Sequence, residues 1–284
     1  MDKVKKQRVD VALFERGLAE SREKARTLIM AGVVYIAEEK VLKPSELVAP
    51  DAPLTVRGAA HPYVSRGGLK LEKALRVFHY DPTGVVAMDL GASTGGFTDV
   101  LLKNGAAHVY AIDVGYGQLD WGLRNDPRVT VMERTNARYL KREDLPLRPT
   151  LGVMDVSFIS ITKILPAAAE IMGEDGAFIS LIKPQFEAGR DRVGKKGVVR
   201  DRQVHLDVVR EVLAFVEGEL GWRAQALSFS PIKGPEGNIE FLAHLLPASR
   251  ATHSVTPAEA EEVVSQAHAQ LDAREEKIAE GEDA

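Results

Sequence analysis

From residue 69 onward this chain alternates between two kinds of segment, and that alternation limits its fold more than any single motif. Short apolar runs, VVAMDL, HVYAID, RVTVME, TLGVMDVSF and GAFISLIKP, are separated in several places by stretches of helical period such as GGFTDVLLKNG, ITKILPAAAEIM and QVHLDVVREVLAFVEGEL. Runs that stay apolar, rather than alternating with polar residues, suit strands covered on both faces. Strand and helix in turn predict an α/β fold with a mostly parallel, doubly wound sheet. RAQALSFSP and NIEFLAHLL lie close together without a crossover helix, so the sheet is expected to end in an antiparallel pair. LKLEKALRVF reads as a helix leading into the first run.

Residues 1–60 read as a separate small α+β unit. Val9, Leu13 and Phe14 recur at near-helical spacing, Gly17 stands where that helix would stop, and Ser21 can cap a second helix, REKARTLIMAG, ending at Gly32. VVYI and PLTVRG then read as short strands around a turn at Pro44 and Ser45. In this order the segment resembles an S4-type RNA-binding domain, the likeness lying in SREKARTLIMAGVVYI. Arg8, Arg16, Arg22, Lys24 and Arg26 cluster on its two helices. A phosphate backbone needs several cations on one surface, so these residues are expected to bind RNA, with Arg66 beside them. RGAAHPYVSRGG, broken by Pro62 and Gly67-Gly68, reads as a short linker at about residues 57–68. The α/β domain is expected over 61–247, and an exposed, acidic helical tail over 248–284.

Net charge is −4, but its distribution is uneven. Residues 1–60 hold eleven Lys or Arg against nine Asp or Glu, while residues 248–284 hold three against nine. A basic head and an acidic tail point to a polyanionic partner. Cysteine is absent, which removes disulfides, thiolate zinc sites and a cysteine nucleophile. The seven histidines show no ligand spacing, so no metal is expected. With no apolar run of about 18 residues and no apolar stretch at the N-terminus, the chain reads as cytoplasmic, monomeric and without a membrane partner.

DLGASTGGFTDVLL passes from a strand through Gly91, Ala92, Ser93, Thr94, Gly95 and Gly96 into a helix. Glycines let a backbone turn tightly and approach a ligand with no side chain in the way. The spacing is GxxxGG and not GxGxxG, which disfavours a hydride-transferring dehydrogenase. Asp113 ends the next strand, twenty-two residues after Gly91, where a carboxylate can accept from both ribose hydroxyls of an adenosine. Asn136 and Ala137, in ERTNAR after the third strand, would border the adenine, and Asp155 ends the fourth. Order and spacing together suit an S-adenosylmethionine pocket. With its antiparallel ending, the arrangement resembles class I (Rossmann-like) S-adenosylmethionine-dependent methyltransferases.

Seven separated segments sharpen the likeness. YVSRGGLKLEKAL, LGASTGGFTD, AIDVGYGQL, ERTNAR, DVSFIS, LIKPQFEAG and GPEGNIEFL stand in this order behind the S4-like head. They resemble the TlyA family of ribosomal RNA 2'-O-methyltransferases, long called haemolysins, over roughly residues 5–246. That family's methyltransferase half is similar to the FtsJ-type enzymes, whose Lys-Asp-Lys-Glu tetrad carries over here to Lys70, Asp155, Lys183 and Glu240. The resemblance implies methylation of cytidine ribose in small-subunit and, in some members, large-subunit ribosomal RNA.

A 2'-hydroxyl is a poor nucleophile until it loses its proton, so a base has to stand in line with the methyl donor. Lys183 is the expected base, with Asp155 and Lys70 positioning and tuning it and Glu240 holding Lys70 or the ribose. Bringing a lysine from about 10.4 to about 7 or 8 takes roughly 3–5 kcal/mol of destabilisation of its ammonium. Burial and a second cation work toward that, and carboxylates work against it. DVSF lacks the two prolines that amino-directed enzymes place after the acidic position, so oxygen is the expected acceptor. Without cysteine, thiolate-assisted carbon methylation is excluded. The loop EAGRDRVGKKGVVRD, residues 187–201, is expected to be mobile and to meet RNA phosphates through Arg190, Lys195 and Lys196. RGAA at 57–60 lacks the tryptophan associated with some family members. Two other classes stay open: a membrane-damaging protein, which the absent apolar span and acidic tail oppose, and an RNA-binding protein with a non-catalytic methyltransferase fold.

Overall fold

The computed structural model describes residues 6–280 except 20, 31, 38, 57–60 and 195, with side chains as far as residue 272. Contacts divide the chain into two compact units, 1–66 and 67–284. The boundary expected at residue 60, the RGAA segment before it, and Lys195 lie outside the described residues.

The first unit runs β1 (Gln7–Arg8), α1 (Val9–Glu15), α2 (Arg22–Met30), β2 (Val34–Ile36), β3 (Glu39–Lys40), β4 (Leu47–Val48) and β5 (Leu54–Val56). β2 lies between β3 and β5, and β1 pairs with β4, all antiparallel. The Ser21 hydroxyl accepts from the Lys24 N–H at 3.0 Å and so caps α2. Val9, Ala12, Leu13, Ala25, Ile29 and Val34 close a small core between helices and strands. Phe14, expected on the apolar face of α1, is instead 46% exposed. The inward stripe of this short helix is filled by positions 9, 12 and 13, and position 14 falls beside it.

The second unit contains α3 (Gly68–Val77), β6 (Val86–Leu90), α4 (Gly96–Lys103), β7 (His108–Ile112), α5 (Trp121–Arg124), β8 (Val129–Met132) and β9 (Leu151–Met154). It continues with α6 (Leu165–Met172), β10 (Ala177–Ile182), α7 (Pro184–Glu187), α8 (Arg202–Gly218), β11 (Trp222–Phe229), β12 (Phe241–Pro247) and α9 (Pro257–Glu280). Its seven strands lie in the order β11-β12-β10-β9-β6-β7-β8. The five strands from β6 to β10 are parallel, and β12 runs antiparallel between β10 and β11. β9 and β10 are buried along their whole length, as their unbroken apolar runs require.

Two segments depart from expectation. The helix expected from Ile161 begins at Leu165, because Pro166 lacks an N–H and belongs in a first turn, and residues 161–163 form a separate 3-10 turn. The acidic tail is not an exposed appendage: Ala260, Val264, Ala267 and Leu271 are buried, and α9 packs on α8 and β11. Their spacing of four, three and four residues places all of them on one face of the helix. Among the described residues no helix is long and apolar enough to cross a membrane.

Candidate active site

β6 pairs with β7 on one side and β9 on the other, so the chain leaves it in opposite directions and the carboxyl ends of β6 and β9 open a crevice. A cleft of ≈ 470 Å3 lies there, with Gly91, Ser93, Asp113, Asn136, Ala137 and Asp155 in its lining. Ala92, Thr94, Gly95 and Gly96 shape the turn without lining this cleft. Gly91 has φ +84, and a Cβ there would sit 3.0 Å from the Asp155 carbonyl oxygen and from Val156 Cγ1. Only glycine lets the two loops approach so closely. At Gly95, φ +95, a Cβ would come within 2.3 Å of Leu123 Cδ1.

Asp113 is held by two backbone donors, Ser93 N–H to Oδ2 at 2.8 Å and Gly115 N–H to Oδ1 at 2.7 Å. Each carboxylate oxygen keeps a lone pair, enough to accept from two vicinal hydroxyls. Ile112, Val114, Ala137 and Ile164 supply apolar walls beside it. This donor set and the close-approach glycine at position 91 suit the adenosyl moiety of S-adenosylmethionine.

The four charged positions meet next to this cleft. Lys70 lies in α3, Asp155 follows β9, Lys183 follows β10, and Glu240 precedes β12. Ile182 pairs with Phe241, so Lys183 and Glu240 leave neighbouring antiparallel strands at the same edge. Lys70 Nζ donates to Glu240 Oε2 at 2.7 Å and to Asp155 Oδ2 at 3.2 Å. Lys183 Nζ lies 2.5 Å from Asp155 Oδ1 in an ion pair and donates to Ser157 Oγ at 3.1 Å. The lysine side chains are each 8% exposed, Glu240 is 1% and Asp155 is 20%. Burial alone would lower the pKa of Lys70, but the charges of Asp155 and Glu240 outweigh it and raise it. Burial would likewise raise Asp155, yet Lys70 and Lys183 hold its carboxyl below the usual range. Lys70 is therefore a fixed cation between two carboxylates, and it reaches Lys183 only through Asp155.

A second cleft of ≈ 420 Å3, lined by Phe158, Gln185, Phe186, Arg190 and their neighbours, adjoins the first, and Phe158 lines both. Gln185 Nε2 donates to Glu240 Oε1 at 3.3 Å, so the ion-pair chain touches this cleft too. Phe158 is 91% exposed and has φ +66, a left-handed conformation that a bulky side chain rarely adopts. Its ring is 5.2 Å from that of Phe186. Sequence reasoning missed both aromatic residues, although each stands three residues past a charged one, Asp155 or Lys183.

The expected RNA-binding cations are placed unequally. Arg8, Arg22 and Arg26 converge on the buried Asp10 at 2.8, 3.5 and 3.1 Å, leaving their outer surfaces about half exposed. The Arg8 hydrogen bond, ahead of burial, holds the Asp10 carboxyl far below the carboxylate range. Arg16 instead donates to the carbonyls of Ala49, Pro50 and Ala52, at 3.0, 2.8 and 2.5 Å, and so closes a loop. Lys24 and Arg66 are partly exposed, and Arg190 and Lys196 are exposed. Arg192 is turned to Glu211 and the Ala188 carbonyl.

Asp89, at the end of β6, is 1% exposed. Its Oδ2 accepts from the Thr98 N–H at 2.9 Å and from Thr98 Oγ1 at 2.7 Å, while Oδ1 has no partner among the described residues. Burial pushes its carboxyl up to about 7 against the pull of Thr98. An unfolded aspartate titrates near 3.9, so between about pH 4 and 7 the folded state holds a proton that the unfolded chain has lost. Stability is therefore expected to fall as pH rises through that window, by at most about 1.4 kcal/mol per unit, and to level off above it. Asp89→Asn keeps an acceptor for Thr98 and removes the titration. Thermal melts should show the variant gaining on the wild type between pH 5 and 8, and an equal difference at both values would refute this.

Residues 63–246 match the FtsJ-like methyltransferase family, and residues 7–53 match the S4 domain. The chain is 48% identical over 241 residues to the 16S/23S rRNA (cytidine-2'-O)-methyltransferase TlyA of Mycobacterium tuberculosis (strain ATCC 25618 / H37Rv), spanning 84% of this chain and 89% of that one. It is 41% identical over 240 residues to Hemolysin A of Brachyspira hyodysenteriae, spanning 84% and 99%. A solved structure bearing a hemolysin name, from Streptococcus thermophilus, is 46% identical with a TM-score of 0.77 and covers 96% of this chain and 100% of that chain.

Proposed function

We propose, on the premise that this chain belongs to the FtsJ-like methyltransferase family and carries an S4 domain, that it methylates the ribose 2'-hydroxyl of a cytidine in ribosomal RNA. The observation that carries this reading is the buried chain Glu240, Lys70, Asp155, Lys183, standing where two clefts adjoin. Methyl transfer needs the attacking oxygen and the sulfonium sulfur on opposite sides of the methyl carbon with a base beside the oxygen, and two clefts that share Phe158 next to these residues suit that need.

Asp113, Asn136 and Ala137 would hold the adenosyl part of S-adenosylmethionine, with Gly91 letting the backbone approach it. When bound, S-adenosylmethionine supplies an electrophilic methyl group on a sulfonium centre. Lys183, as the uncharged amine, takes the proton of the 2'-hydroxyl as general base and becomes the ammonium. Asp155 sits 2.5 Å from it and stabilises the ammonium that results, where the charge forms. Lys70 keeps Asp155 ionised, and Glu240 anchors Lys70. Ser157 fixes the direction of the Lys183 amine.

Phe158 and Phe186 offer faces on which a nucleobase turned out of its helix can stack, a contact that accepts any base. Arg190 and Lys196, with the Arg8, Arg22 and Arg26 cluster on the S4 domain, supply cations for the phosphates. Cytidine and both subunits follow the name of the Mycobacterium tuberculosis relative. Such a substrate places the protein in the cytoplasm with ribosomes. The test is purified protein, labelled methyl donor and unmodified ribosomal subunits, followed by mass mapping. One methyl on a cytidine ribose is expected, and label on a base, or none on RNA, overturns the reading.

A further inference from the structure

The C-terminal helix touches the substrate side of the protein by a route that the reaction above does not use. His205 of α8 is fully buried, with Nε2 3.1 Å from the Val199 carbonyl oxygen and Nδ1 2.9 Å from His268 Nε2 of α9. His268 Nδ1 lies 3.1 Å from Asp272 Oδ2, and Asp272 Oδ1 accepts from Lys233 Nζ at 2.8 Å. Val199 is gripped from its other side as well, its N–H donating to Asn238 Oδ1 at 2.9 Å. Asn238, 2% exposed and two residues before Glu240, also donates to the Gly197 carbonyl at 2.9 Å. One run of polar contacts thus ties α9 to the loop bearing Arg190, Lys196 and Arg200, and to the turn that delivers Glu240.

The partners decide where the protons are. The Val199 carbonyl only accepts, so His205 Nε2 carries a hydrogen. Burial, with His268 alongside, lowers the His205 pKa to about 4, so its ring is neutral and Nδ1 is an acceptor. His268 Nε2 must then donate. Its Nδ1 faces a carboxylate, which also only accepts. The run is complete only when His268 carries protons on both nitrogens.

We propose that His268 is a positioning residue that holds the RNA-contacting loop in place, which makes α9 part of the substrate-binding apparatus. This rests on the reading of that loop as an RNA contact given under the proposed function. The charged groups around the histidine pair are Asp201 just before α8, Asp272 from α9 itself, and Lys233 from the turn.

The experiment uses the full chain with His268→Leu, which keeps helix and packing, and His268→Arg, whose guanidinium keeps two donors at every pH. Hydrogen exchange over residues 194–200 is followed in the free protein, and KM for ribosomal subunits and kcat are measured. His268→Leu should exchange faster in that loop and show a KM about tenfold above wild type, with kcat within about twofold. His268→Arg should keep the wild-type KM and the wild-type exchange in that loop. Unchanged exchange in His268→Leu overturns the relay, whether or not the protein methylates RNA. Faster exchange with wild-type KM overturns the role in substrate binding. Absence of methylation by the wild type defeats the proposed function instead, and exchange still decides the relay.

Discussion

Lys183→Ala is expected to lower the single-turnover rate of methyl transfer by about 10²–10⁴-fold, the range for loss of a general base. The amine is 2.5 Å from Asp155, donates to Ser157, and is 8% exposed, so nothing as small as alanine can stand in for it, and water has little access. The Asp113 and Gly91 side of the cleft is untouched by this change, so affinity for S-adenosylmethionine, read by calorimetry, should stay within about threefold. Lys70 and Glu240 keep their contact, and the folded state should persist in a thermal melt. Near-wild-type methylation by a folded, cofactor-binding Lys183→Ala protein would remove the lysine from the role of base. A loss of cofactor affinity as large as the loss of rate would mean that the residue acts in binding.

Lys70→Met should show a different kind of damage. Glu240 is 1% exposed and Asp155 20%, and Lys70 Nζ bridges them at 2.7 and 3.2 Å. Removing the ammonium leaves Glu240 buried without a cation within hydrogen-bonding reach in this chain of contacts. Breaking such a pair by deleting one partner costs about 3–5 kcal/mol, far more than an exposed ion pair contributes. Urea denaturation should record that loss. Lys70→Met combined with Glu240→Met should recover most of it, because two apolar side chains of similar volume need no partners. Both proteins should be inactive. A cost below about 1 kcal/mol for the single variant would show that water reaches the pair and that burial does not enforce its geometry.

Local chemistry made much of the fold legible. β6, β7, β9 and β10 lie where unbroken apolar runs alternate with helical segments, because a strand covered on both faces leaves that mark in the residues themselves, whereas β8 is a half-buried edge strand. The final antiparallel pair was likewise signalled by two apolar stretches with no helix between them. Helix starts were read well where a capping side chain stands, as at Ser21, and badly where a proline shifts the first turn, as at Pro166. The misreadings share one cause. Phe14 and the tail helix were judged from periodicity alone, and packing decides both: other positions fill the inward stripe of α1, and α9 lies against α8 and β11.

The candidate site divides in the same way. Gly91 and Asp113 could be named from residues because loop and strand end belong to one β-α-β unit, whose spacing is set by local geometry. Lys70, Asp155, Lys183 and Glu240 could be named only through the likeness of seven separated segments, since no local rule links positions so far apart. Phe158 and Phe186 escaped notice because an exposed aromatic and a buried one are written with the same letter.

By itself, then, the sequence determined which stretches become strands and helices, where the backbone turns tightly enough to admit a ligand, and which chemistries are impossible without a thiol. Only the tertiary structure decided that two lysines and two carboxylates share one desolvated spot, that Arg16 serves a loop, and that α9 reaches Val199 through two histidines. The physical reason is range. Periodicity and capping act over a few residues, whereas ion pairing, burial and the pairing of Ile182 with Phe241 depend on which distant surfaces the sheet brings together.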